Sequence, residues 1–192
     1  MLSSRGRLIV VASPAGGGKS TIIRRLRENH PDWGFSISAT TRPPRPGEQD
    51  GREYHFLSRE EFLRRVRTAE FLEHEEVHGE LYGTLIAPTR ERLERGETMI
   101  FDLDVKGALS VKAEFPEAFS IFLLPPSREV LRWRLQNRGT ESPELVERRL
   151  ARADMELGLT DKFDIRIIND DLNTAVSETE AAIAARFAEI RS

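Results

Sequence analysis

The chain has 192 residues, with 29 Lys and Arg against 32 Asp and Glu, a net charge of −3, and no cysteine. Disulfide staples, thiolate metal sites and cysteine nucleophiles are therefore excluded, and the bulk-basic signature of nucleic-acid or membrane-surface binding is missing. With 39% hydrophobic and 32% charged residues, the composition is that of a globular protein, not a disordered, collagen-like or coiled-coil chain, and the length suits one domain.

No apolar run approaches the length of a membrane span. The first, residues 8–12, follows seven residues and is too short for a signal-peptide core, so a cytoplasmic chain is expected. It is short, continuous and β-branched, the form of a buried parallel strand. Residues 98–103, 121–124 and 165–168 read likewise, the last interrupted by Arg166. Helical patterns lie between them: 20–28 with Ile22, Ile23 and Leu26 on one face, 105–113 with Val105, Leu109 and Lys112, and a helix opened by the N-cap Ser127 and carrying Val130, Leu131, Trp133 and Leu135. Residues 174–190 bring back Val176, Ala182, Ile183, Phe187 and Ile190 at helical spacing. Strands alternating with helices predict an α/β core, a parallel sheet with helices on both faces.

Residues 33–87 differ in character. Short alternating stretches surround the turn Pro43-Pro44-Arg45-Pro46-Gly47, and one helix, 59–67, begins with a capping box formed by Ser58 and Glu61. A small mixed or antiparallel subdomain inserted into the core is expected. Residues 137–147 are polar, contain Gly139 and Pro143, and are expected to form a mobile excursion between helices.

The segment Ser13-Pro14-Ala15-Gly16-Gly17-Gly18-Lys19-Ser20-Thr21 follows a strand and opens a helix, the context a phosphate-binding P-loop requires. Its glycines let successive N–H groups turn toward phosphate oxygens, and the helix N-terminus adds its dipole. Lys19 can then reach the β/γ-phosphates and the Ser20 hydroxyl can ligate Mg²⁺. Ser13 departs from the usual pattern, which has glycine there. A second anchor is the apolar run ending in Asp102, the form of the acidic residue that holds Mg²⁺ in this class. Read on a strand, Asp102 and Asp104 point the same way, toward the crevice at its C-terminal end.

The loop does not name the phosphate acceptor. Arg42 and Arg45, three apart in a proline-stiffened turn, suit a second phosphate, because their guanidiniums are always charged and fork-shaped. Gly51-Arg52-Glu53-Tyr54 and Gly79-Glu80-Leu81-Tyr82-Gly83-Thr84 each offer a tyrosine hydroxyl, although either ring could instead belong to the subdomain core.

Essentially the whole chain resembles guanylate kinases, the P-loop nucleoside monophosphate kinases that phosphorylate GMP with ATP. The resemblance rests on the P-loop, on the block from Thr40-Thr41-Arg42-Pro43-Pro44-Arg45-Pro46-Gly47-Glu48 to Gly51 and Tyr54, and on Phe71-Leu72-Glu73 with Tyr82-Gly83-Thr84. Asp102-Leu103-Asp104-Val105-Lys106-Gly107, Arg138-Gly139-Thr140-Glu141 and Ile168-Asn169-Asp170-Asp171 complete it. It implies a single domain over 1–192, made of a P-loop core (5–32 and 88–192), a GMP-binding subdomain (33–87) and a lid (137–150). It also implies that Arg42, Arg45, Tyr54 and Tyr82 hold the GMP phosphate, that Ser38, Glu73, Thr84 and Asp104 surround the guanine, and that residues 13–21 hold ATP. Guanine presents N1–H and N2–H₂ side by side, and an ionised carboxylate can accept both while a serine hydroxyl donates to O6. Adenine reverses that pattern and would leave the carboxylate unpaired. Spacing alone does not choose Glu73 over Glu75 or Glu76; the resemblance does.

Residues 127–152 hold seven arginines and four glutamates, a local balance of 7 − 4 = +3 in a chain that is net negative. Several belong to ion-paired helix faces. The family pattern singles out Arg134, Arg138 and Arg149 as catalytic lid arginines beside Lys19 and Arg42, and Asn169 as the residue that meets adenine, a position where a turn former would also serve. The expected reaction is phosphoryl transfer from ATP to GMP or dGMP, with Mg²⁺ held by Ser20 and Asp102, in purine nucleotide metabolism and GMP recycling. Two other readings compete: a guanylate-kinase-like binding module without phosphate chemistry, and a kinase for another monophosphate such as IMP. Retention of Lys19, Ser20, Arg42, Arg45, Glu73 and Arg138 favours the enzyme. The sequence leaves monomer or homodimer open.

Overall fold

A computed structural model of the chain describes residues 6–77, 79–137 and 142–189. The apolar run becomes β1 (Arg7–Ala12), and the glycine loop leads into α1 (Lys19–Asn29). There follow β2 (Gly34–Phe35), β3 (Ala39–Thr40), β4 (His55–Phe56), α2 (Arg59–Arg67), β5 (Phe71–Val77), β6 (Glu80–Leu85) and α3 (Ile86–Glu94). The chain continues through β7 (Thr98–Leu103), α4 (Val105–Glu114), β8 (Phe119–Leu124), α5 (Arg128–Gln136) and α6 (Pro143–Leu157). After a single 3-10 turn come β9 (Ile165–Ile168) and α7 (Leu172–Glu189).

Five strands form one parallel sheet in the order β2-β7-β1-β8-β9. Side chains alternate across a strand, so β1 serves two cores. Leu8, Val10 and Ala12 pack under α4 with Met99, Phe101 and Phe122. Ile9 and Val11 pack against Ile22, Ile23 and Leu26 of α1 and Ala175 and Ile183 of α7. Both faces are thus covered, as the continuous β-branched runs require. Among the described residues no helix is long and apolar enough to cross a membrane.

The second sheet is mixed, in the order β4-β3-β6-β5, with β3 and β4 parallel and the other pairs antiparallel. Its core is Ala39, Phe62, Leu81 and Leu85 beneath α2, with Phe62 stacked on Phe71 at 4.3 Å.

Several expectations need correction. Gly34–Phe35 pairs with β7, so residues 33–87 also supply an edge strand of the larger sheet, a two-residue pairing too short to show periodicity. Only half of the capping box forms: Ser58 accepts from Glu61 N–H at 3.1 Å, whereas the Glu61 carboxylate turns to Arg64 and Arg65. Those partners hold its pKa down at about 2. The excursion expected over 137–147 is helical from Pro143 onward. Ser142 caps α6 by accepting from Leu145 N–H, and proline is tolerated at the first helical position because its missing N–H would have no partner there.

Candidate active site

The glycine loop runs from the C-terminal end of β1 to the start of α1, the edge at which parallel α/β sheets bind ligands. Gly18 caps α1 with φ +86°, and a Cβ there would sit 2.3 Å from the Asn169 side-chain nitrogen. The loop therefore needs glycine for its backbone and for its neighbour. Ser13, in place of the usual glycine, is accommodated because Gly17 has no side chain: a Cβ at 17 would lie 2.7 Å from that of Ser13. The Ser13 hydroxyl donates to the Pro14 carbonyl, and Gly17 N–H closes back on the same carbonyl at 2.9 Å.

A cavity of about 570 Å³ lies over this loop, lined by residues 13–20, Asp102 and Asp104 on one side and by Arg148, Arg149, Arg152 and Glu156 of α6 on the other. Lys19 pairs with Asp102 at 2.7 Å and donates to the Leu103 carbonyl. The exposed Ser20 hydroxyl lines the same cavity; Thr21 stands just inside α1. Asn169, buried after β9, donates its side-chain N–H to the Gly17 carbonyl at 2.7 Å and accepts on its own backbone carbonyl from Arg134 at 2.9 Å. The other terminal nitrogen of Arg134 is buried with no hydrogen-bond partner among the described residues, 4.0 Å from where a Cβ on Gly18 would stand. A buried cationic donor without an acceptor, beside a glycine loop, is matched to an anion.

Asp104 is not on the strand, because β7 ends at Leu103. Its carboxylate caps α4, accepting from Gly107 N–H at 2.7 Å and from Arg152 at 2.6 Å. It still reaches the crevice, by the cap and not by strand alternation.

Asp104 also lines a second cavity of similar size, with Glu73, His74, Glu75, Lys106 and Arg152. Glu73 arrives there through a bulge. β5 slips by one residue between Phe71 and Glu73, which sets Glu73 opposite Thr84 while Leu72 packs into the main core. Thr84 Oγ1 donates to Glu73 at 2.7 Å. Burial pushes the Glu73 carboxyl above the usual range; the Thr84 hydroxyl opposes this and the negative charge of Asp104 adds to it. Glu75 and Glu76 are exposed, and Glu76 pairs with Arg59, so burial separates Glu73 from its acidic neighbours.

Along the same face of β6, Tyr82 precedes Thr84 by two residues, about 7 Å of strand. Tyr54 packs edge-on to Tyr82 at 6.1 Å, and the Arg42 guanidinium lies over Tyr54 at 5.4 Å. Arg42 is held by Glu48 at 2.9 Å and by the Pro43 carbonyl. Arg45 shares that turn, its backbone N–H donating to Glu48 and its side chain exposed. The tyrosines and Arg42 thus form one cluster. Ser38 contributes its carbonyl to His55 N–H and lines neither cavity. Arg138, with residues 139–141, lies outside the described residues, as does part of the expected lid.

Sequence reasoning did not single out Arg148, Arg152 and Glu156 as site residues. With 143–157 taken as a helix, positions 145, 148, 149, 152 and 156 fall on one face, and that periodicity was the available signal. Glu75 stood only as an alternative to Glu73 and Lys106 only within the motif 102–107, and His74 carried no signal.

The guanylate kinase family model matches residues 5–186. The chain is 52% identical over 174 residues to the guanylate kinase of Gloeobacter violaceus (strain ATCC 29082 / PCC 7421), covering 91% of this chain and 85% of that one. To the guanylate kinase of Rhodococcus jostii (strain RHA1) it is 48% identical over 184 residues, covering 95% and 89%. The crystal structure of guanylate kinase from Anaplasma phagocytophilum superposes with a TM-score of 0.70 at 32% identity, covering 96% of this chain and 88% of that one. Two cavities meeting at the C-terminal edge of a parallel sheet, and relatives matched over nearly their full lengths, lead to one conclusion: this chain belongs to the guanylate kinase family.

Proposed function

We propose that the chain catalyses ATP + GMP ⇌ ADP + GDP, taking dGMP as well, with ATP on the glycine loop and GMP along the face of the small sheet. The observation that carries this reading is the shared wall: Glu75, Asp104 and Arg152 line both cavities, so donor and acceptor bound there would face each other across it. Residues 13–21 would hold the ATP phosphates, and Lys19 would exchange Asp102 for the β/γ oxygens. Arg134, whose second terminal nitrogen is buried without a hydrogen-bond partner among the described residues, would take a phosphate oxygen, joined by Arg149 and Arg138. Asn169 would stand at the adenine side, where its hold on the Gly17 carbonyl also sets the loop.

On the acceptor side, Arg42, Arg45, Tyr54 and Tyr82 would hold the GMP phosphate, and Ser38, Glu73, Thr84 and Asp104 the guanine. Phosphoryl transfer passes through a loose transition state whose charge spreads over the equatorial oxygens, so fixed guanidiniums supply most of the stabilisation. The ionised GMP phosphate is already a nucleophile and needs no general base. Ser20 and Asp102 offer hard oxygen donors beside the loop, a set that fits Mg²⁺, which takes one or two protein oxygens and completes its shell with phosphates and water. Bound there, Mg²⁺ neutralises phosphate charge. Among the described residues no group of three or more His, Asp or Glu is placed to hold a metal by protein ligands alone.

The proposal divides the chain into a core (5–32 and 88–192), a GMP-binding part (33–87, apart from the edge strand Gly34–Phe35 that it lends to the core sheet) and a lid (137–150) that closes over the phosphates and excludes water. We also propose a cytoplasmic location. The test is ADP formation with ATP and Mg²⁺ against GMP, dGMP, IMP, AMP, UMP and no acceptor. Turnover with GMP and dGMP alone is expected. Silence with every acceptor, while GMP still binds by calorimetry, would establish the binding-module reading instead.

A further inference from the structure

Two carboxylates hold the Arg152 guanidinium, one at each end. From α6, Nε donates to Glu156 at 2.8 Å, four residues along the same helix, and Nη2 reaches across to Asp104 at 2.6 Å. It lines both the donor and the acceptor cavity.

The Asp104 carboxylate has about four lone-pair sites. Gly107 N–H takes one on Oδ1 and Arg152 one on Oδ2, which fixes the plane of the group and leaves two acceptors. On the acceptor side Asp104 faces Glu73 and Glu75 of β5 against Lys106 of α4 and neighbouring His74, and on the donor side Asp102 and Glu156 against Lys19, Arg148 and Arg149. Without Arg152, Asp104 would keep its cap bond but lose its second restraint, and two carboxylates would share one cavity with less compensation.

We propose that Arg152 is a positioning residue for base recognition: it clamps Asp104 so that the remaining carboxylate lone pairs meet the N–H edge of a guanine beside Glu73. The inference rests on the reading of Asp104 as a guanine contact. It assigns to α6, the helix that carries Arg149, a hand in acceptor affinity as well as in phosphate chemistry. Lysine at 152 would restore the charge but not the two-ended fork, and so would rescue only part of the effect.

The test is GMP binding by calorimetry and steady-state kinetics for the unmodified enzyme, R152A, R152K, D104N and D104N/R152A. R152A is expected to weaken GMP binding and raise the KM for GMP about fivefold, the scale of a partly exposed charge pair, with the KM for ATP unchanged. R152K should recover part of the loss, and adding R152A to D104N should cost nothing further, since a residue acting through Asp104 has no route left. Equal GMP binding by R152A and the unmodified enzyme would overturn the proposal. So would losses that add in the double variant, or a rise in the KM for ATP in place of that for GMP, which would mark Arg152 as a phosphate contact. Failure of the unmodified enzyme to bind GMP would remove the guanylate reading itself, and this inference with it.

Discussion

Replacing Glu73 by glutamine separates recognition from stability, because the two should move in opposite directions. Thr84 already donates to one Glu73 oxygen at 2.7 Å, so guanine must be met by the remaining acceptors. A carboxylate can satisfy both, but an amide can turn its oxygen toward Thr84 or toward the base and not toward both. One charge-assisted hydrogen bond is then lost, worth about 1.5–3 kcal/mol, and kcat/KM for GMP should fall about 10- to 140-fold at 1.4 kcal/mol per decade. The preference for GMP over AMP should narrow by a similar factor, since the amide no longer penalises adenine. Stability should rise. Burial, chiefly, and the charge of Asp104 lift the Glu73 carboxyl above 4.5 in spite of Thr84. A carboxylate raised in the folded state destabilises it wherever the group is ionised, and that cost fades as pH falls through the folded value. The melting temperature of Glu73→Gln should therefore exceed that of the unmodified chain at neutral pH and converge with it in acid. The contribution of Glu73 to the acid limb of kcat/KM for GMP should be lost in the variant, leaving that of the GMP phosphate. Steady-state assays with GMP and AMP, run beside thermal melts from pH 4 to 8, decide the matter. An unchanged GMP-over-AMP preference, or a loss of stability together with activity, would refute the reasoning.

Ala69 adopts φ +53° at the end of α2, where its N–H bonds to the Val66 carbonyl and that of Glu70 to the Arg65 carbonyl. This is the helix-ending arrangement that favours glycine, so Ala69→Gly should stabilise the chain by about 0.5–1 kcal/mol in urea unfolding. Gly17→Ala should weaken ATP binding by forcing its Cβ against Ser13, and Ser13→Gly in the same chain should restore much of it; equal affinity of the single variant and the unmodified chain would show that the loop yields freely. Asp164 accepts from Lys112 at 2.6 Å and from the hydroxyl and N–H of Ser120 at 2.6 and 2.8 Å. Burial opposes its ionisation, but these partners together hold it below 3.8. Asp164→Asn should cost about 1–3 kcal/mol near neutrality, a difference that shrinks as pH falls below 3.8 toward the lowered folded value; a deficit constant with pH would assign it to packing.

The parallel strands, the helices of the core and the glycine loop were legible because each is written in contiguous residues. Residues 8–12 and 121–124 are apolar without alternation, and such runs are stable only between two covered faces. Ser13 to Thr21 needed no partner to be understood, since the loop's own backbone makes the phosphate contacts. The helix α6 was written locally too, in Ser142 and Leu145, but Pro143 and the polar composition around it read as a break, when proline at the first helical position is compatible with a start. Asp104 failed differently: whether β7 ends at 103 or runs on to 104 depends on pairing with β1, which stops at Leu103.

What the amino-acid order determined by itself, then, is the α/β core, the phosphate loop and the residue types able to hold a second nucleotide. The tertiary structure decided which of three nearby glutamates is desolvated, through a bulge that sets Glu73 opposite Thr84 while Leu72 enters the core. It also brought Asp104 and Arg152, 48 residues apart, into one wall between two cavities. Burial and charge pairing of this kind are properties of surfaces that meet only after the chain has closed on itself, and no local spacing encodes them.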